Sequence, residues 1–358
     1  MHTGPKLWVL GNGQLGAMLK HAGESIDIEV IPLAIDSDGK PPVLGSDDSV
    51  TAEREHWPAN PIADQLFQHA NFSSRRAFIE IADRCNEKTL FDRLGLANTP
   101  WCLVNDQTSV ADLYEKLGNN IVLKRRSGGY DGKGQQWLRA TDNDDIPADW
   151  HGNAIAEQAI AFDEEVSLIG ARNALGQSIF YPLTLNLHQD GILLASLAPL
   201  DRLQPYQDQA EFMLAKLMDE LDYIGVLTME CFRLGDQLMI NEVAPRVHNS
   251  GHWTMDGASL SQFDLHVRAV MALPISQPDI TSKSVMINLL GLEWNPLWST
   301  VPYASVYWYD KEVLPGRKLG HINLNVQSRT QLDDALSVLS GLLSERYHSI
   351  YDWLRNNF

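Results

Sequence analysis

Two glutamates, Glu230 and Glu242, carry the clearest chemical signal in the sequence. If Gly235-Asp236-Gln237 forms a three-residue hairpin loop, their carboxylates lie opposite each other on one face of two antiparallel strands. The positions around them are mostly apolar, so the two like charges would be partly desolvated unless a cation or a shared proton relieved them. Mg²⁺, bound by carboxylate oxygens and nucleotide phosphates, is the natural partner, and Asn241 adds a neutral oxygen. The alternative is an exposed hairpin end with a slipped register.

The segment that follows, residues 244–253, supplies hydrogen-bond donors beside the expected metal site. Arg246, His248 and Asn249 have the donor groups that a small oxyanion or a transferring phosphoryl group needs. None of the 11 histidines stands in an HExxH or other zinc-binding pattern. His248 and His252 therefore keep a second interpretation, as hydrogen-bonded histidines of the core.

Residues 124–135, KRRSGGYDGKGQ, form a basic segment that is rich in glycine. Its four glycines free the backbone to fold over a ligand, while Lys124 and Lys133 place cations at the end of a strand and inside the loop. Such a loop suits a polyphosphate, although it lacks the GxxxxGKS/T order of a P-loop. The alternative is a mobile basic β-hairpin that binds nothing.

Residues 11–16, GNGQLG, fit the GxGxxG turn that joins a strand to a helix and binds anions at its backbone amides. Asp36 or Asp38 stands near the position, about 20 residues further on, of the acid that binds a ribose. A dinucleotide-dependent oxidoreductase therefore stays open. So does a tight turn without a ligand, because the same glycines also permit close helix packing.

Three cations, Lys311, Arg317 and Lys318, surround the turn Pro315-Gly316 near the end of the chain. The chain as a whole has 28 Lys and Arg against 46 Asp and Glu, a formal charge of -18. Within such an acidic protein this group of cations is a local positive island, which could bind a monophosphate or only neutralise the surface.

The elements that must position these residues begin with an α/β layer, predicted for residues 1–100. Leu7–Leu10 reads as a strand, an amphipathic helix follows the glycine turn, and the apolar run Ile28–Leu33 reads as a second strand. A helix predicted over Ile79–Leu94 ends at Gly95, and Pro100 marks a boundary.

Two further units follow that boundary. Residues 101–165 predict a small α+β lobe with strands at Ile121–Lys124 and Ala154–Ile160 around the glycine-rich segment. Residues 166–358 predict a larger lobe. Its expected elements are a helix at Tyr206–Leu221, strands at Ile224–Phe232 and Gln237–Glu242, and a C-terminal helix near Thr330–Leu343.

Composition excludes several classes of protein. The sequence is 44% hydrophobic and 21% charged, which is ordinary for a globular protein and too apolar for a largely disordered one. The net negative charge disfavours partners such as nucleic acid and the membrane surface. Cys85, Cys102 and Cys231 are widely spaced, and Met1–Trp8 lacks the apolar region of a signal peptide, so we expect a cytoplasmic protein.

Taken together, these motifs resemble the ATP-grasp enzymes, and among them the carboxyaminoimidazole ribonucleotide synthetases of purine biosynthesis. The resemblance covers nearly the whole chain, in order and in spacing. It is carried by GNGQLG from Gly11, TAE from Thr51, KRRSGGYDGKGQ from Lys124, EQAI from Glu157, NLHQDG from Asn186, MECF from Met229, NEVAPRVHNSGHWT from Asn241, and YDKEVLPGRKLGH from Tyr309.

The resemblance implies an ATP-grasp fold behind an N-terminal Rossmann-like domain, and an ATP- and bicarbonate-dependent carboxylation of aminoimidazole ribonucleotide through carboxyphosphate. It implies that Glu230 and Glu242 bind Mg²⁺, with Mn²⁺ as a substitute, and that the enzyme is a homodimer. The residues that match the ATP site of the family are Arg84, Lys124, Gly129, Tyr130, Asp131, Gly132, Lys133, Gly134, Gln135, Glu157, Gln158, Ala159, Ile160, Glu165, His188, Asn241 and Glu242.

The resemblance also assigns the second nucleotide and the reacting groups. The residues that match the aminoimidazole ribonucleotide site are Gln14, Leu15, Glu53, Tyr130, Asp131, Lys311, Arg317 and Lys318. The residues that match the catalytic groups are Lys124, Asp131, Arg246, His248 and Asn249. A formate-using glycinamide ribonucleotide transformylase shares this plan and remains a rival within the ATP-grasp enzymes.

Overall fold

The computed structural model of the protein describes residues 4–36, 39–129, 132–142 and 145–358. The predictions for Asp38, Tyr130 and Asp131 lie outside these described residues. The described helices are α1 Gln14–Glu24, α2 Pro61–Gln68, α3 Arg75–Ile81, α4 Arg84–Arg93, α5 Val110–Leu117, α6 Gln207–Glu220, α7 Thr254–Gly257, α8 Gln262–Val270, α9 Arg329–Ser340 and α10 His348–Asn357. Short 3₁₀ turns lie at Ala148–Trp150, Asp201–Tyr206, Asn249–Gly251, Pro296–Thr300 and Glu345–Tyr347.

The N-terminal sheet has three parallel strands in the order β2-β1-β3, namely β1 Leu7–Leu10, β2 Val30–Leu33 and β3 Ser49–Ala52. Every residue of β1 is buried, as expected for the central strand of a parallel sheet. The helix α1 follows the glycine turn and buries Leu15, Leu19 and Ala22, the spacing that places side chains on one helical face. This confirms the predicted strand, glycine turn and helix.

The second sheet has four antiparallel strands in the order β4-β7-β5-β6, namely β4 Trp101–Val104, β5 Asn120–Arg125, β6 Gln135–Arg139 and β7 Ala154–Gln158. The strand predicted to reach Ile160 ends two residues earlier. The partner strand β5 begins at Asn120, and the carbonyl of Asn120 accepts the last bond between the two strands, from the amide of Ala159. Beyond this point β7 has no partner residue on β5.

The third sheet holds nine antiparallel strands, in the order β13-β12-β8-β10-β11-β14-β16-β15, with β9 paired to β8. Their bounds are β8 Glu164–Arg172, β9 Ser178–Phe180, β10 Thr184–Gln189, β11 Ile192–Ala198, β12 Gly225–Leu234, β13 Gln237–Ala244, β14 Lys283–Leu290, β15 Ala304–Trp308 and β16 Lys318–Val326. One core packs α4, α6, α9 and α10 against this sheet. Another joins α1 and β1 to α8 and β8, which attaches the N-terminal layer to the third sheet.

His266 of α8 links the two layers by hydrogen bonds. One ring nitrogen, Nε2, lies 2.8 Å from the hydroxyl of Thr51, and Nδ1 accepts from the amide of Val226 at 3.0 Å. Burial lowers the pKa of His266 to about 4, so this imidazole is neutral at physiological pH.

Two sequence-based predictions need correction. The helix expected over Ile79–Leu94 is two helices, because Asp83 caps the start of α4 by accepting from the amides of Cys85 and Asn86 and also binds Arg126. The hairpin between β12 and β13 turns at Gly235-Asp236, since Leu234 pairs with Gln237. No helix in the described parts of the chain has the length and apolar character to cross a bilayer.

Candidate active site

A cavity of about 520 Å³ lies where the N-terminal layer, the start of α4 and the strand β13 meet. It gathers residues from six separate segments of the sequence. The residues that line it are Gln14, Leu15, Glu53, Arg54, Glu55, His56, Ile81, Ala82, Arg84, Glu87, Arg126, Ser127, Gly128, Gly129, Glu242, Val243, Ala244, Arg246, His248, Asn249 and Lys318.

The two glutamates of the predicted metal site are direct partners across β12 and β13, as expected: Glu230 pairs with Glu242. The route to this pairing differs from the prediction. The turn has one residue fewer, and the register shifts between Glu230 and the next residue, Cys231, which pairs with Ile240. Asn241 is therefore the extra residue of a β-bulge, and the bulge restores the pairing that a longer loop was expected to produce.

The two carboxylates have different surroundings. Glu242 accepts a hydrogen bond from Arg84 at 2.9 Å. Burial opposes ionisation, but Arg84 and Lys124 outweigh it and lower the pKa of Glu242. Within the described parts of the chain Glu230 has no such partner: its Oε1 lies 3.8 Å from a ring nitrogen of His188 and from one of His248. Burial raises the pKa of Glu230, and the neighbouring Glu242 adds to this.

The two histidines beside Glu230 hold different protonation states. Burial disfavours a charge on His188, yet its hydrogen bond to Glu165 at 3.0 Å and the nearby Glu230 raise its pKa to about 9. Burial and the charge of Arg246 lower the pKa of His248 well below its usual range. Nδ1 of His248 accepts from the amide of Ser250, so the neutral ring carries its proton on Nε2, toward Glu230.

This donor set fits a hard divalent cation. Glu230 Oε1 is buried and has no hydrogen-bond partner among the described residues, which is an unsatisfied ligand atom beside a second carboxylate. The described part of the chain holds no group of three His, Cys, Asp or Glu that would bind a metal by itself. Mg²⁺ commonly takes only one or two protein carboxylates and completes its shell with water and substrate phosphates, so two glutamates are sufficient.

Lys124 lies in a buried cluster of ions and not on an open loop. Its ammonium lies 2.9 Å from Glu157 and donates to the side chain of Asn241 at 3.1 Å. On the other side of Glu157, Lys88 lies 3.4 Å away and donates to Thr99 at 2.8 Å. Burial opposes the charge of Glu157, but the two lysines outweigh it and lower its pKa to about 2. The carboxylate thus holds the ammonium of Lys124 beside Asn241.

The expected oxyanion-binding segment also lies on the cavity. Arg246 lies 2.8 Å from Glu55, which keeps its guanidinium beside the N-terminal layer. Asn249 is 8% exposed, and neither its amide nitrogen nor its oxygen has a hydrogen-bond partner among the described residues. A buried amide without partners is costly, so Asn249 is prepared to bind a polar ligand. His252 is fully buried, as the core interpretation expects, but only its Nδ1 has a partner, Gln262 at 3.3 Å. Its Nε2 has none among the described residues.

The backbone amides of the glycine turn 11–16 already bind an anionic side chain of the protein. The carboxylate of Glu53 accepts from the amides of Gly13 and Gly16, the latter at 2.7 Å. A Cβ at Gly11 would lie 2.3 Å from Glu53, so the glycine is needed for this approach. Because a carboxylate occupies the amides that would bind a pyrophosphate, the turn does not fit a dinucleotide. Asp36, the other element of that interpretation, is exposed and pairs with Arg54.

Of the three cations in the positive island, Lys311 and Lys318 lie at the cavity and Arg317 lies on the surface. Lys318 lines the cavity, and Lys311 donates to Gln14, which lines it too. The side chain of Arg317 is 41% exposed. It donates a hydrogen bond to the backbone carbonyl of Glu312 at 3.1 Å and lies 3.9 Å from the carboxylate of the same residue. The assignment of Arg317 to a substrate phosphate stays a prediction.

The remaining residues of the predicted ATP site lie around the small sheet and do not line this cavity. Gln158 ends β7, Ala159 and Ile160 follow it, and Gln135 begins β6. The backbone amide of Arg125 donates to the carbonyl of Gly134, and this bond joins the two ends of the glycine loop at its base. Gly132 and Lys133 belong to the described part of that loop. Their contacts with a nucleotide stay a prediction.

Several residues at the site were not predicted from the sequence. They are Glu55, Glu87, Lys88 and Thr99. Glu87 and Lys88 stand three and four positions after Arg84, so the helical spacing could have placed all three on one face. Nothing in the sequence links Glu55 to Arg246, because the two meet only through the packing of β3 against the large sheet.

Comparison with known proteins gives consistent results. A family model described as the ATP-grasp domain matches residues 89–263, and one described as the phosphoribosylaminoimidazole carboxylase C-terminal domain matches residues 284–335. The chain is 48% identical to the N5-carboxyaminoimidazole ribonucleotide synthase of Escherichia coli strain K12 over 351 residues, which is 98% of each chain. It is 47% identical to that of Haemophilus influenzae over 355 residues, 98% of this chain and 96% of that one.

Solved structures agree with these relatives. N5-carboxyaminoimidazole ribonucleotide synthetase from Thermus thermophilus superposes with a TM-score of 0.80 at 34% identity, covering 95% of this chain and 99% of that one. The Aspergillus clavatus synthase in complex with ADP and 5-aminoimidazole ribonucleotide superposes with a TM-score of 0.77 at 26% identity, over 95% and 99% of the two chains.

Proposed function

Because the chain belongs to the N5-carboxyaminoimidazole ribonucleotide synthase family of ATP-grasp enzymes, we propose that its cleft performs the reaction of that family with the residues described above. The enzyme is an ATP-dependent ligase that carboxylates 5-aminoimidazole ribonucleotide in purine biosynthesis. The observation that supports the assignment of roles is the pairing of Glu230 with Glu242 beside Lys124 and Arg84, an arrangement that suits a metal ion and the phosphates of a nucleotide.

We infer that bicarbonate is the carboxyl donor. A bicarbonate oxygen attacks the γ-phosphorus of ATP, the bond from that phosphorus to the bridging oxygen breaks, and carboxyphosphate and ADP result. The exocyclic amine of the ribonucleotide then takes the carboxyl group, directly or as carbon dioxide, and phosphate leaves. Arg246, the Nε2 proton of His248 and the unpaired amide of Asn249 would hold the bicarbonate oxygens.

The protein contributes chiefly by positioning and by charge. Lys124 would neutralise the ATP phosphates from its position on Glu157, and Glu55 would keep Arg246 oriented. Mg²⁺ held by Glu230 and Glu242 would supply further neutralisation of phosphate charge. Carboxyphosphate hydrolyses readily, so the glycine-rich segment 127–135 would have to cover the site and exclude water. Asp131, outside the described residues, is the candidate to orient the amine.

The ribonucleotide would lie on the N-terminal side of the cleft. Gln14, Leu15 and Glu53 line the cavity there, and Lys318 faces it from the large sheet. Both oxygens of Glu53 already accept from backbone amides and keep lone pairs for ribose hydroxyls. The family resemblance supports a homodimer in the cytoplasm as the working form.

The test is ADP release with each substrate omitted in turn. We expect ADP release to need Mg²⁺ and to rise sharply with aminoimidazole ribonucleotide, and ¹⁴C-bicarbonate to enter an acid-labile product. Formate in place of bicarbonate separates this enzyme from a formate-using transformylase and should not support turnover. Failure of labelled bicarbonate to enter product during turnover would refute the proposed reaction whatever the ATPase rate.

A further inference from the structure

Apart from one isolated parallel bridge between Asn98 and Ile240, the outer edge of β13 is covered in the described structure by side chains of α4. β13 is the first strand of the large sheet, so one row of its backbone groups lacks a strand partner. The helix α4 supplies the partners instead. The carboxylate of Glu87 accepts from the amide of Val243 at 2.7 Å, and the ammonium of Lys88 donates to the carbonyl of Asn241 at 3.1 Å. The amide of Ile240 bonds to the carbonyl of Ala97, just after this helix.

These contacts bracket the β-bulge. Ile240 and Val243 flank the extra residue Asn241, whose carbonyl Lys88 holds. In a regular strand, neighbouring side chains point to opposite faces. Here two consecutive side chains serve the same site: Asn241 contacts Lys124 at 3.1 Å, and Glu242 contacts Arg84 at 2.9 Å. The bulge makes this possible.

Loss of the bulge would remove the site without unfolding the sheet. The pairs nearer the turn, such as Cys231 with Ile240, follow a register that would set Glu230 opposite Asn241. The extra residue advances the strand by one position, so Glu242 becomes the partner of Glu230. A one-residue slip would turn Glu242 to the other face.

We propose that Glu87 and Lys88 are positioning residues that hold this bulge and thereby keep Glu242 opposite Glu230. Both side chains are almost completely buried, at 2% and 1% exposure. Burying two such groups is costly unless they have specific partners. Lys88 also contacts Glu157 and Thr99, but each of the two side chains bonds to a backbone group next to Glu242. The inference rests on the proposed role of Glu242 as a metal ligand.

A matched pair of variants isolates the contact of Glu87. Glu87→Gln keeps the size and a side-chain oxygen that can accept from Val243, whereas Glu87→Met keeps the length and removes the acceptor. Lys88→Met tests the carbonyl of Asn241 and also removes one cation from Glu157, whereas its control, Lys88→Arg, keeps the charge. The Lys88 pair serves if Glu87→Met does not fold. All variants are made in the full-length protein.

The first measurement is hydrogen exchange of the Val243 amide without metal or nucleotide. Glu87 is its acceptor, so we expect exchange to accelerate at least tenfold in Glu87→Met, to stay near the wild-type rate in Glu87→Gln, and to be unchanged for amides of β12 paired with β8. Unchanged protection of Val243 in Glu87→Met would overturn the proposal. This readout does not depend on the enzyme's reaction.

The second measurement is the affinity for ADP, determined with Mn²⁺ by water proton relaxation and without metal by equilibrium dialysis of labelled ADP. We expect Glu87→Met to weaken the Mn²⁺-dependent part of binding about tenfold and to change metal-free ADP binding by much less. In a Glu242→Gln background the same substitution should have no further effect. Equal loss in both backgrounds would mean that Glu87 acts elsewhere and would overturn the inference. If Glu242→Gln alone leaves Mn²⁺ binding intact, the proposed metal site is wrong. Hydrogen exchange of the Val243 amide then still tests whether Glu87 holds the bulge.

Discussion

Neutralising the two paired glutamates should shift the stability of the metal-free protein in opposite directions. Glu242 bonds to Arg84 at 2.9 Å, and the arginine side chain is only 14% exposed, so Glu242→Gln leaves a largely buried guanidinium without its anion. Glu230 has no hydrogen-bonded cation among the described residues, and the histidine nitrogens nearest to it lie 3.8 Å away. Glu230→Gln therefore removes the cost of a buried charge and the repulsion by Glu242, which together outweigh the attraction to His188.

The magnitudes follow from these contacts. A hydrogen bond between charged groups contributes about 1.5–3 kcal/mol to stability. Because the Glu242 side chain is 35% exposed, solvent screening reduces this by about half. Glu242→Gln should therefore lower the free energy of unfolding by about 1 kcal/mol. Relief of two like charges directly opposite each other on a sheet is worth up to about 1 kcal/mol, so Glu230→Gln should gain a comparable amount. One kcal/mol corresponds to about 2–4 °C for chains of 150–250 residues and to less for a longer chain.

Calorimetry with and without ligand measures both effects. In EDTA the melting temperature should fall by one or two degrees for Glu242→Gln and rise by a similar amount for Glu230→Gln, as estimated above. Added Mg²⁺ and ADP at a hundred times the dissociation constant should stabilise the wild type by about 2.7 kcal/mol. Both variants should lose most of this gain. The exposed Glu115 of α5, changed to Gln, is the control and should behave as wild type.

Two results would contradict this reasoning. Shifts of the same sign in EDTA would mean that Arg84 does not distinguish the two carboxylates. Full stabilisation of either variant by Mg²⁺ and ADP would place that glutamate outside the metal site.

Three further predictions concern other parts of the molecule. Arg317→Ala should raise the KM for the ribonucleotide about 10- to 150-fold, the equivalent of about 1.5–3 kcal/mol, and should change the KM for ATP little. The effect should be smaller for a ribonucleotide analogue without the phosphate. Equal, salt-sensitive rises in the KM of both nucleotides would mean that Arg317 only balances surface charge. Glu55→Gln should lower kcat about tenfold through misorientation of Arg246, with the KM for ATP unchanged, and an equal rise in that KM would contradict a role limited to Arg246. Finally, the pKa of His266 is about 4 when folded and near 6.5 when unfolded, so the unfolded chain binds the proton first, and stability should fall by about 1.4 kcal/mol per pH unit as pH drops from 6.5 to 4. In chemical denaturation, His266→Gln should show a shallower slope in this interval, and an unchanged slope would assign the effect to other buried histidines.

The sequence by itself determined the type of site. Glu230 and Glu242 stand on predicted strands with apolar surroundings, and that pattern alone indicated a shared cation. The glycine turn, the basic glycine-rich segment and the donors at Arg246 were equally visible, since each is a local run of residues whose chemistry does not depend on distant parts of the chain. Their order along the sequence was sufficient to recognise the ATP-grasp family.

The tertiary structure decided what each group does in its place. The expected three-residue loop between β12 and β13 is a two-residue turn followed by a bulge at Asn241, a compensation that no alternation of apolar residues reveals. Arg84 selects Glu242 and not Glu230, and Glu53 fills the glycine turn that the sequence offered to a dinucleotide. All of these depend on contacts between residues roughly 40 to 160 positions apart.

The reason is physical. Local sequence sets which backbone conformations are favourable and which side chains are charged, but the free energy of a buried charge depends on what lies within a few ångströms. Glu230 and Glu242 are the same residue type on neighbouring strands. Arg84 of α4 and Lys124 of β5, brought to Glu242 by the packing of the chain, lower the pKa of that carboxylate, while the pKa of Glu230 stays raised.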